Sequence, residues 1–545
     1  VQKDTTTEDL SRVPLAMLAD GDRFARLDRL ESYYRCTQDD GKSYSWDGYF
    51  SGYGDKADIS PGWFVPYRHR RPSTRYDLAR VIVDRLTSFM FGTDRFPRIL
   101  VPGDKDAEDF VNALAEASRF ASKVAQARTL GGSCGSVAMS IGFVNGSPRV
   151  EVHNAKHTFV TRWADREDLL VGSAVKVFAY KARSVEDGKI KEREFYSVRF
   201  WDEDVEIVWD PIPAEIARTG AWWHLPHRTI RHQAGFCPMF WIQNLPGPDG
   251  DMDGEADFPE RLCETFDELN QLLSASTKGT KANVDPTLVV RMDPTQNDGT
   301  LKRGSDNVIW SPGGANYLEL QGAAANTAIA MLERLRAYAL DMSSVVIPDP
   351  EKLSGAAQSA AALRLMFAPM TAKCDLLREQ YGELAIKRPL LGLLRMARAL
   401  LNRAPTTIMG EDGTEYELTT FVRLPPKVIE DGETVRVEER RPGTSELLVL
   451  QFPAYFPATA EDRGKAVDTA QKAAGGKPLV SQRTALASVA DLFGVRDVDA
   501  ELDAVHEDAE REVQRAADVF AANGGPAGGV PPDSEEPDEP DEDED

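Results

Sequence analysis

No two of the five cysteines form a CxxC pair; Cys36, Cys134, Cys237, Cys263 and Cys374 are dispersed along the chain. That odd, scattered set excludes a disulfide framework and a zinc ribbon, and reads as buried or free thiols made in a reducing cytoplasm. No apolar run approaches the ~20 residues of a membrane span. The longest candidates, such as Val81–Phe91, are broken by charge. The opening VQKDTTTEDL is polar and shows no signal-peptide pattern. Positive charge is scarce: 64 Lys and Arg face 88 Asp and Glu, a formal charge of −24. Ten of those carboxylates fall in Asp533–Asp545, and the rest of the chain is acidic without them. Such a balance argues against a tight, non-specific grip on phosphate. Catalytic signatures are also missing, with no GxxxxGK[ST], GxSxG or HExxH. Gly131-Gly132-Ser133-Cys134-Gly135 lacks the lysine of a phosphate loop and reads as a helix stop.

What is present is ordinary globular material, 42% hydrophobic and 28% charged, long enough for several domains or one elaborate one. Asp22–Cys36 places Phe24, Leu27, Leu30 and Tyr34 at helical spacing. Residues 37–75 read as a loop ending in the basic cluster Arg68–Arg71. Asp77–Phe91 is an amphipathic helix with one stripe of Leu78, Val81, Ile82, Leu86 and Phe89. Asp106–Leu130 is a further helix, stopped at Gly131-Gly132. Strands follow, with Asn145-Gly146 as a two-residue hairpin turn between Ser136–Val144 and Pro148–His153. Leu170–Ala179, Glu194–Phe200, Val205–Trp209 and Met239–Ile242 are further strands. The fold class expected is therefore α+β.

A helix over Asp257–Asn283 repeats Phe258, Leu262, Phe266, Leu269 and Leu273 at spacings of four and three. This stripe reads as core or as subunit packing, and packing against a neighbouring subunit is favoured, since one helical hairpin cannot bury both its own faces. A small strand insertion over 285–325 and a second helix over 326–346 complete the hairpin. Ile347–Leu353 (IPDPEKL) cannot be helix interior. A long helix from Ser354 to Asn402 is expected to kink at Pro369 and Pro389. Strands return over 403–459 and helices over 460–520; 521–545 is too polar to bury a core and is expected to be disordered.

Two clusters invite a cation. Asp249, Asp251, Asp253 and Glu260, with Gly254 at the sixth position, approximate a calcium loop, against the alternative of a solvated turn. His224, His227 and His232 near Cys237 offer zinc-type ligands but lack a second cysteine. Neither is strong enough to assign, so no metal and no cofactor is expected. A metal-dependent enzyme acting on nucleic acid or carbohydrate is the alternative that these clusters leave open.

Several segments, taken in order, resemble the portal proteins of long-tailed double-stranded DNA bacteriophages. Gly235-Phe236-Cys237-Pro238 leads into a strand ending at Asn244, and then through Gly254-Glu255-Ala256-Asp257 into a helix with Asp267, Glu268, Leu269, Asn270 and Ser274. The Asp77–Met90 helix with Phe96-Pro97-Arg98-Ile99, the Ala127–Ile141 stretch, Ser354-Gly355-Ala356-Ala357 before a long helix, and Pro457–Thr484 are similar to family segments too. The resemblance covers about residues 75–515. It implies a structural ring subunit at one capsid vertex, not an enzyme, with about twelve copies around a DNA channel. It implies a wing (77–256, rejoined by 403–459), stem helices (257–284 and 326–346), a clip (285–325), a tunnel loop (347–353), a long kinked helix (354–402) and a crown (460–520), flanked by an N-terminal segment (1–76) and the acidic tail. The tunnel loop would face DNA with Pro348, Asp349, Pro350, Glu351, Lys352 and Leu353, Lys352 touching phosphate in passing. Implied partners are the terminase, head-completion or adaptor proteins, and scaffolding or capsid proteins, with no membrane. The implied location is the virion, after assembly in the host cytoplasm. Another phage shell or adaptor protein is a second alternative.

Overall fold

The computed structural model describes residues 21–38, 72–347 and 364–522, with short interruptions, the longest being 292–307. The chain divides into two compact units, Val1–Tyr455 and Phe456–Asp545.

In the first unit, α1 (Asp22–Arg35) ends at Cys36 in the left-handed region, and α2 (Leu78–Phe91) buries the expected stripe through Leu78, Ile82 and Leu86. After β1 (Arg98–Leu100) come α3 (Lys105–Ala117) and α4 (Phe120–Cys134). The single helix expected over 106–130 is thus two, separated at Arg119, whose φ of 53° no regular helix accommodates. Gly131 and Gly132 do not stop α4; Gly135, at φ 88°, does.

A three-stranded sheet, order β10-β2-β3, joins β2 (Ser136–Val144), β3 (Ser147–Asn154) and a later strand, β10 (Met239–Gln243). Val144 pairs with Ser147 across Asn145 and Gly146, both at positive φ, so the tight hairpin forms where expected. A six-stranded antiparallel sheet contains β4 (Thr158–Asp165), β5 (Leu170–Glu186), β6 (Lys189–Trp201), β7 (Val205–Trp209) and β9 (His227–Arg231), with β8 (Ile212–Pro213) pairing β6. The short α5 (Ala214–Ala217) helps to cover a separate core around Trp209 and Trp222.

Helix α6 (Leu262–Val284) leads to β11 (Leu288–Arg291), β12 (Val308–Ser311) and β13 (Asn316–Tyr317), in which β11 and β12 are parallel. Helix α7 (Ala323–Met342) returns to pack on α6. Helix α8 (Ala368–Tyr381) runs through one π-helical segment, Gly382–Lys387, into α9 (Arg388–Leu401). Pro369 and Pro389 each occupy the first turn of their helix. A missing N–H costs nothing at Pro369, where α8 begins, and Pro389 directly follows the π-helical segment, where the regular ladder of bonds is already interrupted. Hairpins β14–β15 (Thr406–Met409, Glu415–Leu418) and β16–β17 (Lys427–Asp431, Thr434–Glu438) precede β18 (Val449–Gln451), which pairs antiparallel with β1. The fold is α+β. Most of the apolar core of this unit is one cluster spanning α2, α3, α4, α6, α8, α9 and the smaller sheet.

The second unit is helical where described: α10 (Ala460–Ala474), α11 (Gln482–Phe493) and α12 (Val498–Ala522). No helix among the described residues is long and apolar enough to cross a membrane.

Candidate functional site: a buried polar junction and an exposed helix face

Side chains from α4, the end of β10, the segment before α6 and α8 meet in one place. Arg128, from α4, is fully buried and forms a two-oxygen ion pair with buried Asp257, Nη2 lying 2.9 Å from both carboxylate oxygens. Asn244, at the end of β10, donates from Nδ2 to Asp257 Oδ1 (3.1 Å) and to Glu255 O (3.0 Å). Tyr381, closing α8, donates its hydroxyl to Asn244 Oδ1 (3.0 Å), and its ring faces the Arg128 guanidinium at 5.4 Å. Lys373 donates to Asp257 O and Ser343 O. Burial lowers the Lys373 pKa and raises that of Tyr381.

Backbone bonds from Asp257 N–H to Gly132 O, and from Asn244 N–H to Gly135 O, seal the junction. The glycines follow from this crowding. A Cβ on Gly132 would strike Arg128 and Asp257, one on Gly131 the Tyr381 hydroxyl, and one on Gly135 the Gly254 carbonyl. The glycine run is therefore a place of close approach inside a helix, which explains why α4 continues through it. Arg128 Nε points at Met90 Sδ (3.4 Å) and its Nη1 is buried without a partner, while the other groups named are spent on one another, and what the arrangement does is lock α4, β10 and α8 together.

The acidic cluster that resembles a calcium loop is met by arginines. Asp249 lies outside the described residues. Asp253 is buried and binds Arg23 through both oxygens (2.7 and 2.8 Å), Arg26 reaches Asp251 and Asp253 at 3.3 Å, and Arg29 reaches Glu260 at 3.4 Å. Three arginines spaced three apart on α1 thus meet these carboxylates, and no group of metal-binding side chains occurs among the described residues. The histidines do not converge on a metal either. His232 donates from Nε2 to Asp202 O and accepts the Ala234 N–H at Nδ1, while His227 Nδ1 donates to Leu225 O.

One pairing was not foreseen. Buried His153 holds Ser140 Oγ at 2.7 Å through Nε2 and Lys176 Nζ at 3.1 Å through Nδ1. An ammonium donating to Nδ1 places the ring proton on Nε2, so that Nε2–H donates to the serine. This is the reverse of the tautomer that a general base requires. Burial, with Lys176, Arg199 and Arg149 nearby, pushes the His153 pKa well below 6.5.

The α6 stripe also departs from expectation. Phe258, Leu262, Phe266 and Leu269 are buried in the core of their own chain, and Leu273 is half-buried. The expected subunit contact is corrected for these four, whose side chains leave no surface for a neighbour. The free surface is on α7. Its Leu335 and Ala339 are buried, but Met331, Tyr338 and Met342, one turn or two apart on the same side, are 45%, 58% and 47% exposed. Leu365 and Leu376 are exposed at 78% and 62%. Spacing alone marks all of these as apolar; it does not say which go uncovered. The tunnel-loop residues Pro348, Asp349, Pro350, Glu351, Lys352 and Leu353 lie outside the described residues, as do Ser354 and Arg68–Arg71.

A groove of about 550 Å³ opens between the β4–β5 turn, the Gly235–Phe240 segment and α9, floored by Phe236, Phe240 and Leu391. Its arginines are engaged, Arg388 with Asp168 O and Arg395 with Glu446. All five cysteine thiols are pushed up to about 12, chiefly by burial.

No protein-family model matches the chain, and no curated protein matches it.

Proposed function

We propose that this chain is a portal subunit of a tailed bacteriophage, a structural ring component through which double-stranded DNA is packaged and ejected. The observation that carries the proposal is the helical hairpin α6–α7 with its β head. Its first helix is satisfied inside the chain, and its second presents Met331, Tyr338 and Met342 to solvent. An apolar stripe of this kind on a helix calls for a partner. A ring of identical copies supplies one, with each hairpin covered by the next. The net charge of −24 suits a conduit, because an acidic wall repels a polyanion instead of holding it. The terminase and the head-completion proteins are the partners this reading assigns to the β head, and the virion vertex is its location.

Negative-stain electron microscopy of the purified chain tests it. Rings with a central hole are expected for wild type, and their loss for Tyr338→Asp/Met342→Asp. A wild-type chain that stays monomeric at every concentration and salt, or rings indifferent to the double substitution, overturns the reading.

A further inference from the structure

The six-stranded sheet ends on one side in β9, whose five residues are all exposed. One edge of β9 pairs with β7, and no described strand pairs with the other. The bonds flanking this ladder fix which backbone groups face outward. His232 N–H donates to Asp204 O, and Asp210 N–H donates to Pro226 O. Hydrogen-bonded pairs alternate along an antiparallel ladder. Ile230–Glu206 and Arg228–Val208 are therefore the bonded pairs within it. The N–H and C=O groups of His227, Thr229 and Arg231 then point away from β7, a row of unpaired donors and acceptors at strand spacing.

The stretch of chain that contains β9 carries charge of one sign. From Ile216 to Pro248 there is no Asp or Glu, in a chain that has 88, while Arg218, Arg228, Arg231 and three histidines fall in the same stretch. Among the described residues, Arg228 and Arg231 have no ion pair or side-chain hydrogen bond. Alternation puts them on opposite faces of the strand, with Ile230, 38% exposed, between them. On β7 and its approach, Asp202 is engaged by the N–H groups of Asp204 and Val205, and Glu206 by Arg199. Glu203 is engaged by Arg162 at 2.6 Å, and Asp204 and Asp210 are the remaining carboxylates beside the strand.

We propose that the free edge of β9 receives an extended, acidic polypeptide segment as an additional strand. Main-chain pairing supplies the affinity, and the two arginines select the sign of charge. A polypeptide fits better than nucleic acid, because the unpaired groups are backbone amides at the repeat of a strand. Two arginines on so acidic a chain also make a small phosphate footprint. The inference does not rest on the portal reading.

The test is a fluorescence-anisotropy titration of the full chain with a short labelled peptide of alternating valine and glutamate, its ends blocked. Wild type is expected to bind this peptide and to ignore its valine–lysine counterpart. Arg228→Glu/Arg231→Glu is expected to weaken binding by about tenfold or more. Thr229→Pro deletes the central outward N–H at a position where an edge strand tolerates proline, and is expected to weaken binding by about tenfold. Circular dichroism confirms that both variants fold. The proposal is overturned if wild type does not bind the acidic peptide, if it binds the lysine peptide equally, or if neither variant changes binding. Preferential binding of random-sequence duplex DNA that survives Thr229→Pro identifies a phosphate site instead, and overturns it too.

Discussion

Helices α6 and α7 lie against each other and both carry apolar residues at helical spacing, yet they end in different surroundings. Around α6 the chain has built everything that a buried helix needs. Phe258, Leu262, Phe266 and Leu269 join the main core, Asp267 accepts the Tyr33 hydroxyl at 2.7 Å, and Asn270 Oδ1 accepts the Tyr76 N–H at 2.7 Å. Ser274 Oγ bonds both to Thr74 O and to the Thr74 N–H. Among the described residues of α7, Leu335 and Ala339 are buried and Leu332 and Leu340 half-buried against the core, while the side carrying Tyr338 faces water. Periodicity tells which side of a helix avoids solvent; whether the cover comes from the same chain or another is decided by topology.

This contrast can be broken first at the junction below α6. Asp257→Ala leaves Arg128 as an uncompensated buried cation, and denaturant unfolding should show a loss of about 3–5 kcal/mol. Next, Leu269→Ala removes a buried side chain and should cost about 2–5 kcal/mol in the same assay. A smaller loss would show that α6 is less enclosed than it is here.

A third effect is read against pH. His153, and His157 with its pKa lowered to about 4 mainly by burial, bind protons less readily in the folded than in the unfolded state. Their contribution to stability is full above the ordinary histidine value of 6.5 and is lost as the pH falls from there through the folded-state values. His153→Gln, which cannot titrate, should flatten the fall of the melting temperature below that pH. The smallest effect belongs to α7, where Tyr338→Ser should change the stability of the single chain by less than about 0.5 kcal/mol. If it costs as much as Leu269→Ala, the two helices are alike and the exposed face is no interface.

Much of the fold was legible because local chemistry decided it. Asn145-Gly146 supplies positive φ at a two-residue turn, and the strand Val205–Trp209 has the bounds that its alternation gives. The misses have nonlocal causes. Arg119 takes a left-handed conformation with no glycine or asparagine to announce it. Gly131 and Gly132 look like a stop because the side chains that crowd them come from residues 257 and 381. The acidic loop at 251–260 looks like a cation site because its arginines sit on α1, more than 200 residues earlier in the chain. A regular spacing of three in Arg23, Arg26 and Arg29 was the available clue.

The five hindered thiols have a practical side. Sulfur reacts with maleimides as thiolate, and groups held up to about 12 offer almost none near neutral pH. A cysteine introduced on the outer side of α7 would therefore be the fast-labelling atom of the molecule without removal of any native one. A fluorophore or a crosslinker placed there would report directly on what covers that helix.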